Sequence, residues 1–267
     1  MTRALLRRTF AANGSRLIAI ALGLLAMSIL MPVIFNAFGR ELGEFVETVP
    51  LLRQLSEFGG TDFFTLTGAI ATGFVHPFVL LLMGIMAVGF PALAIAGERA
   101  SGTLEVTLAR PISRRALVAT LFGAGLLFLG VLLAVYLIAT VVTVNVIGLG
   151  DELDLGRAVE LWLGALLFYT TFMALTFWIS SESDRAGPAV GIPAVIILVN
   201  YLVFVVGTIW PDAAFLEDWS LFALLRAQDI LQDGLVVSES LVMLGLTVVL
   251  MGLTLVRFPG RDLPAPS

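Results

Sequence analysis

The chain has 267 residues, of which 59% are hydrophobic and 13% are charged, and its mean hydropathy is +1.02. This composition indicates an integral membrane protein and excludes a water-soluble globular domain. The formal net charge of −5 and a pI near 4.9 argue against a nucleic-acid-binding protein.

Two amino acids are missing from the chain, and both absences restrict its chemistry. There is no Cys, so disulfide bonds, thiolate metal sites and thiol nucleophiles are excluded. All 15 basic residues are Arg. A P-loop requires a Lys that reaches the nucleotide phosphates, and a pyridoxal enzyme requires a Schiff-base Lys. We therefore expect no catalytic site, cofactor or metal on this chain, and any energy for its work must come from elsewhere.

Uncharged apolar runs divide the chain into six candidate membrane spans. About 20 helical residues cross the roughly 30 Å of bilayer hydrocarbon. The second and third runs exceed that length, so we expect them to tilt or break, with Pro77 and Pro91 as the favoured breaks in the second. No small-residue cleavage pattern follows the first run, so it is interpreted as a retained helix. The runs are 17–35, 66–96, 116–147, 161–180, 186–209 and 240–256.

The arginines predict the orientation of these spans. With the N-terminus in the cytosol, eleven arginines lie inside and four outside, which by the positive-inside rule favours six spans with both termini in the cytosol. The four outside are Arg40, Arg53, Arg157 and Arg226; the eleven inside are Arg3, Arg7, Arg8, Arg16, Arg99, Arg110, Arg114, Arg115, Arg185, Arg257 and Arg261.

The segments between and before the spans suggest further elements. Residues 1–16 mix apolar positions with Arg3, Arg7 and Arg8, which suits an amphipathic helix in the inner membrane interface, although a simple positive-inside anchor would have the same composition. The external loops are predicted at 36–65, 148–160 and 210–239. In the first and last of these loops, the apolar residues recur at near-helical spacing, which predicts short external helices. These helices either gate the protein or pack against the spans, anchored in the membrane interface by their aromatic residues. Residues 258–267 are interpreted as a cytosolic tail.

Polar residues within the spans are few. His76 is the only His, so it is interpreted as structural, with a bond to a neighbouring helix. Residues 148–151 read GLGD, but an intramembrane aspartyl protease needs a second carboxylate in a facing span, and none of the six runs contains one. Polar groups could line a path for an amphiphilic substrate, or equally make interhelical hydrogen bonds. The candidates for such a path are Asn145, Tyr169, Thr170, Asn200 and Tyr201.

Residues 97–115 form a charged segment, GERASGTLEVTLARPISRR, between the second and third runs. Thr103 is predicted to cap a short helix that ends before Pro111. Ser113 is predicted to cap the third span, which places Arg114 and Arg115 in its first turn, against the helix dipole. We therefore expect an anionic group to offset them, either lipid headgroups or the acidic residues of a partner protein.

This segment resembles the signature of ABC-2 type transport permeases, in which an acidic residue, Gly-Thr-Leu-Glu and Pro-x-Ser-Arg occur in order between spans two and three. Here Glu98, the run from Gly102 to Glu105, and the run from Pro111 to Arg114 fill those positions. Relatives often carry a Lys shortly after the Ser-Arg, where this chain has Ala119 and Thr120.

The resemblance implies an all-α integral membrane protein whose residues 17–257 form a six-span permease domain. It implies pairing with a second, identical or related permease and with separate ATP-binding subunits that carry ATP and Mg. The location would be a prokaryotic plasma membrane, with lipids as further partners, and the direction of transport most often outward. Residues 97–115 would hold the coupling helix, with Arg3, Arg7 and Arg8 in an interface helix beside it. The coupling residues implied are Glu98, Arg99, Gly102, Thr103, Leu104, Glu105, Leu108, Arg110, Pro111, Ser113 and Arg114. The alternatives are an intramembrane enzyme, or a membrane scaffold or assembly factor.

Overall fold

The computed structural model describes residues 2–39 and 62–261 of the chain. This part is helical, contains no β-strand, and has six helices long and apolar enough to cross a membrane, which confirms an all-α integral membrane protein. The helices are α1 (Thr2–Ile34), α2 (Leu66–Val75), α3 (Pro77–Ala100), α4 (Thr103–Leu108), α5 (Arg114–Val146), α6 (Leu155–Glu182), α7 (Ala186–Ile209), α8 (Ala227–Gln232) and α9 (Val237–Arg257).

The first helix differs from the sequence interpretation. Residues 1–16 were expected to form a separate interface helix, whereas α1 runs without interruption from Thr2 to Ile34 and continues as a π-helical turn, Phe35–Gly39. Asn13 and Gly14 have low helix propensity and so suggest a boundary. The helix nevertheless continues through them, and the Asn13 side chain donates to the Thr9 carbonyl oxygen at 2.9 Å, one turn earlier in α1.

The second apolar run is broken once and distorted once. Backbone helicity stops at His76, directly before Pro77, as expected for a residue that precedes proline. The His76 ring accepts a hydrogen bond from the Phe78 N–H at 3.2 Å, so it caps α3. Among residues 2–39 and 62–261 the expected bond to a neighbouring helix is not found.

Pro91 does not break α3. The helix instead widens into π-helical turns on either side, Ile85–Gly89 and Leu93–Gly97. Ser180 of α6 supplies the missing hydrogen bonds, since its hydroxyl donates to the Pro91 carbonyl at 3.1 Å and accepts from the Ala96 N–H at 3.1 Å. A side-chain partner of this kind satisfies the backbone groups of a distorted helix inside a membrane, where no water is available to bond them.

The bundle is built around α6. Of the most apolar stretch of α6, 61% is buried, against 17% for α7 and 28% for α9, so α6 is the central span and the other two turn wide apolar faces outward. Within the bundle, the Thr171 and Thr247 hydroxyls lie 3.1 Å apart and link α6 to α9. Small polar contacts of this kind are typical of helix packing in membranes.

We call the two ends of the bundle the arginine-rich side and the acidic side. On the arginine-rich side lie the start of α1, α4, the α6–α7 link at 183–185 and the end of α9, joined by contacts of Arg8, Arg99 and Arg114. On the acidic side lie the α5–α6 turn and residues 210–236, joined for example by the 2.8 Å bond from the Leu235 N–H to Glu160.

The acidic side contains short helices, as the sequence analysis predicted for its last loop. Two 3₁₀ segments, Pro211–Trp219 and Leu221–Leu224, precede α8 there. Most of the first predicted loop, residues 40–61, lies outside the described residues. The predicted external loop 148–160 includes the first residues of α6, which begins at Leu155. Asp154 caps it, accepting hydrogen bonds from the N–H groups of Gly156 at 2.7 Å and Arg157 at 3.2 Å.

Candidate functional site

The short helix α4 stands on the arginine-rich side between the second and third spans. Gly102 precedes it with φ = 72°, a left-handed conformation that side chains other than glycine adopt at a cost. The predicted cap was Thr103, and this is wrong, because Gly102 occupies the cap position and Thr103 is the first helical residue. The Thr103 hydroxyl reaches back instead to the Glu98 carbonyl oxygen at 3.3 Å. The segment therefore turns sharply from α3 into α4.

One face of α4 is buried and the other is open. Leu104 is 1% exposed and Thr107 is 7% exposed, while Leu108 packs against the core with part of its surface open. Four residues of α4 and of the segment directly after it are exposed, and we call them the open face of α4: Glu105, Val106, Arg110 and Pro111. Val106 is 66% exposed. Within the described part of the chain, no ion pair involves Glu105 or Arg110, so both charges remain available to another molecule.

Arg99 lies behind α4 and is buried, with 3% of its side chain exposed. Its guanidinium donates to the carbonyl oxygens of Ser181 at 3.3 Å and Ser183 at 2.6 Å, and it lies 3.5 Å from the Asp184 carboxylate. It also sits 5.8 Å from the centre of the Phe258 ring. Arg99 was predicted as a contact to another subunit, but burial excludes it from an open surface. It joins the base of α4 to the α6–α7 link.

Arg8 connects α1 to the same region. Its guanidinium lies 3.3 Å from the Glu98 carboxylate and donates to the Thr107 hydroxyl at 3.3 Å. The structure thus brings together one residue of the predicted interface helix and one of the predicted coupling residues. Arg3 and Arg7 are exposed.

Ser113 and Arg114 start the third span. Ser113 accepts a hydrogen bond from the Ala116 N–H at 3.1 Å, which confirms the predicted cap. Arg114 donates to the carbonyl oxygens of Phe258, Pro259 and Arg261, just beyond the end of α9, and Arg115 donates to that of Leu255 at 3.2 Å. These carbonyl oxygens are neutral but carry the partial negative charge of a helix end, so they give both guanidinium groups acceptors within the protein. An anionic partner, either lipid headgroups or the acidic residues of another protein, stays a prediction.

The candidate pathway residues make structural contacts. The Tyr169 hydroxyl donates at 3.4 Å to the Phe74 carbonyl, which the break at His76 leaves without its helical partner. Asn200 accepts from the Leu221 N–H at 2.9 Å and so holds the acidic-side segment to α7. Asn145 bonds to its own helix, and the Tyr201 ring packs on Phe222. Thr170 is buried, and its hydroxyl has no partner among the described residues. These contacts fit the interhelical alternative, and a substrate path along them stays a prediction.

Several residues of this site escaped sequence reasoning. Val106 carries no charge and gave no signal beyond its position opposite Leu104 on a short helix. The contribution of Ser181 and Ser183 is a main-chain carbonyl oxygen each, and Arg261 contacts residues that are far from it in the sequence. Neither kind of contact produces a local sequence pattern. Asp184 belongs to no sequence motif, yet it pairs with both Arg99, at 3.5 Å, and Arg261, at 2.8 Å.

No group of three or more His, Asp or Glu side chains among the described residues could hold a metal ion. Comparison with curated proteins gave no match. A family model described as "ABC-2 family transporter protein" matches residues 15–263. That match covers nearly the whole chain, and the six apolar helices agree with it, so the protein belongs to the ABC-2 transporter family, whose members are membrane components of transporters and not enzymes by themselves.

Proposed function

We propose that this chain is the permease subunit of an ATP-binding-cassette exporter in a prokaryotic plasma membrane, with its arginine-rich side in the cytosol. It would work as a dimer with a second permease, identical or related, and would be driven by separate subunits that bind ATP and Mg. Family membership supports the permease role. The distribution of arginines supports the orientation.

The observation that carries the proposed partner is the open face of α4. This helix is too short to cross a membrane. It and the segment after it expose Glu105, Val106 and Arg110, and neither charge has an ion pair among the described residues. Mixed charge around an apolar centre is the composition of a protein-docking surface. An ATP-binding subunit seated there would contact Glu105, Val106 and Arg110.

The contacts of Arg8 and Arg99 would transmit a movement of α4 to the membrane spans. Arg8 ties the helix to α1, and Arg99 ties its base to the α6–α7 link, so displacement of α4 by an ATPase would shift three spans together. The central position of α6 would spread that displacement through the bundle. Rocking of the two permease halves would then move substrate. The wide apolar faces of α7 and α9 are free to contact lipid or the second permease.

Co-purification tests the proposal. The tagged chain, expressed with its neighbouring genes, should bring down an ATPase that carries a P-loop. The purified chain alone should hydrolyse no ATP, because it has no P-loop Lys. Hydrolysis should begin on addition of that partner. ATP turnover by the isolated chain, free of contaminants, would contradict the assignment and favour an enzyme.

A further inference from the structure

A pocket of about 220 Å³ lies between the first half of α1, the end of α3 and the start of α5. Apolar side chains form one wall, among them Phe90, Leu93 and Leu121. Polar side chains of α1 form the other, namely Arg8, Thr9, Asn13 and Arg16. Drug-sized pockets measure about 300–1,000 Å³, so this one suits a smaller group that is polar at one end and apolar at the other.

The charges in the pocket do not cancel. Glu98 is the one carboxylate of its lining, and it pairs with Arg8 at 3.3 Å. Arg16 donates only to the Asn13 amide oxygen, at 3.3 Å, and no carboxylate of the described residues forms an ion pair with it. The Arg16 guanidinium is therefore the one charge of the pocket lining without an ion pair among the described residues.

The position of Arg16 along α1 makes this charge unusual. Eight residues separate it from Arg8, which at 1.5 Å per residue places it about 12 Å deeper in the bundle than the Arg8–Glu98 pair. Arg16 also directly precedes the uncharged run 17–35, so it lies at the level where lipid headgroups meet the hydrocarbon. The pocket opens beside it, and no carboxylate of the described residues pairs with it.

We propose that this pocket binds the phosphate headgroup of an anionic phospholipid from the adjoining leaflet. Arg16 would bind the phosphate, with Arg8 at the mouth, and the first acyl carbons would lie against Phe90, Leu93 and Leu121. Guanidinium groups form charge-assisted hydrogen bonds with phosphate oxygens. A lipid seated there would bridge α1, α3 and α5 beside the base of α4. This site is separate from the open face of α4 and does not depend on an ATPase.

Native mass spectrometry of the purified full chain would test the site by counting bound lipids. Phosphatidylglycerol should bind more tightly than phosphatidylcholine with the same acyl chains. Arg16→Gln should weaken phosphatidylglycerol binding by about tenfold, the effect of losing one charge-assisted hydrogen bond. Arg185→Gln removes an exposed arginine from the same side of the bundle, away from the pocket, and should leave binding unchanged.

A second variant protects the test against misfolding of Arg16→Gln. Ala12 lines the pocket and is exposed, so Ala12→Phe should fill the space while the helix and both arginines stay in place. It should also weaken binding. Equal binding of the two lipids, or wild-type binding by both variants, would overturn the proposal. Full displacement of the lipid by inorganic phosphate alone would assign the pocket to free phosphate and would equally contradict a lipid site.

Discussion

Arg99 and Asp184 lie 3.5 Å apart although 84 residues of chain and two membrane spans separate them. Arg99 is the penultimate residue of α3, and Asp184 lies in the short link between α6 and α7. The same guanidinium donates to the Ser183 carbonyl at 2.6 Å. A buried, multiply bonded arginine therefore fixes the base of α4 to the centre of the bundle.

Removal of Arg99 should destabilise the protein. Arg99→Ala removes the donor to the Ser183 carbonyl oxygen, while the Ser181 oxygen keeps its bond from Arg261, so we expect the free energy of unfolding to fall by about 1–3 kcal/mol. Thermal denaturation in detergent, followed by size-exclusion chromatography, measures the effect. Arg185→Ala is the matched control, since it removes an exposed arginine from the same link. Equal stability of the two variants would show that the Arg99 contacts contribute nothing.

Gly102 sets the turn between α3 and α4 through its φ of 72°. A β-branched residue is strained in this conformation, while Asn tolerates it better. Gly102→Val should cost about 1–2 kcal/mol and Gly102→Asn clearly less. Gly123→Ala is the control, because Gly123 lies in α5 and an added Cβ there meets nothing within 4 Å. Thermal stability and the protease sensitivity of the 97–115 segment would show which of the variants is the most destabilised. Equal stability of Gly102→Val and Gly102→Asn would contradict a left-handed turn at this position.

Gly73 allows α2 to approach α5 closely. A Cβ placed at Gly73 would lie 2.1 Å from the Tyr136 hydroxyl oxygen and 3.4 Å from the next ring atom. Gly73→Ala should therefore destabilise the protein by about 1–3 kcal/mol, as overpacking does. The double variant with Tyr136→Phe removes the clashing oxygen and should recover most of the loss. A double-mutant cycle of melting temperatures measures this coupling, and additive effects would contradict the predicted contact.

The absence of Cys permits a clean test of orientation, since a single introduced thiol is the only one in the chain. Asp212→Cys on the acidic side should react with an impermeant maleimide in intact cells. Val106→Cys on the open face of α4 should react only after the membrane is opened. Both positions are exposed, so accessibility within the protein does not limit either reaction. The reverse labelling pattern would invert the orientation and place α4 outside the cytosol.

Local chemistry explains which features the sequence could predict. Uncharged runs of membrane-spanning length predicted the six helices, and a hydroxyl three residues before the Ala116 N–H predicted the Ser113 cap. The break before Pro77 followed from proline sterics. Pro91 was misjudged because its compensation comes from Ser180, 89 residues away.

The candidate site was predictable as a segment and less so as individual residues. Residues 97–115 do form a short helix between spans two and three. Which of its charges face outward depends on packing, and burial of Arg99 and capping of the α9 end by Arg114 could not be read from spacing. The same role, contact with the ATP-binding subunit, was predicted for Glu105, Arg110 and Arg99, although only Glu105 and Arg110 are exposed.

The most direct test of the account concerns the open face of α4. Glu105→Arg and Val106→Asp change exposed side chains that have no described ion pair, so both variants should insert and remain as stable as the parent chain. Asp212→Arg makes a comparable charge reversal on the acidic side and serves as the control. At equal membrane expression, pull-down of the ATP-binding subunit should weaken by at least about tenfold for the two α4 variants, the equivalent of 1.4 kcal/mol, and stay unchanged for Asp212→Arg. Undiminished ATPase binding by both α4 variants would contradict docking at this helix.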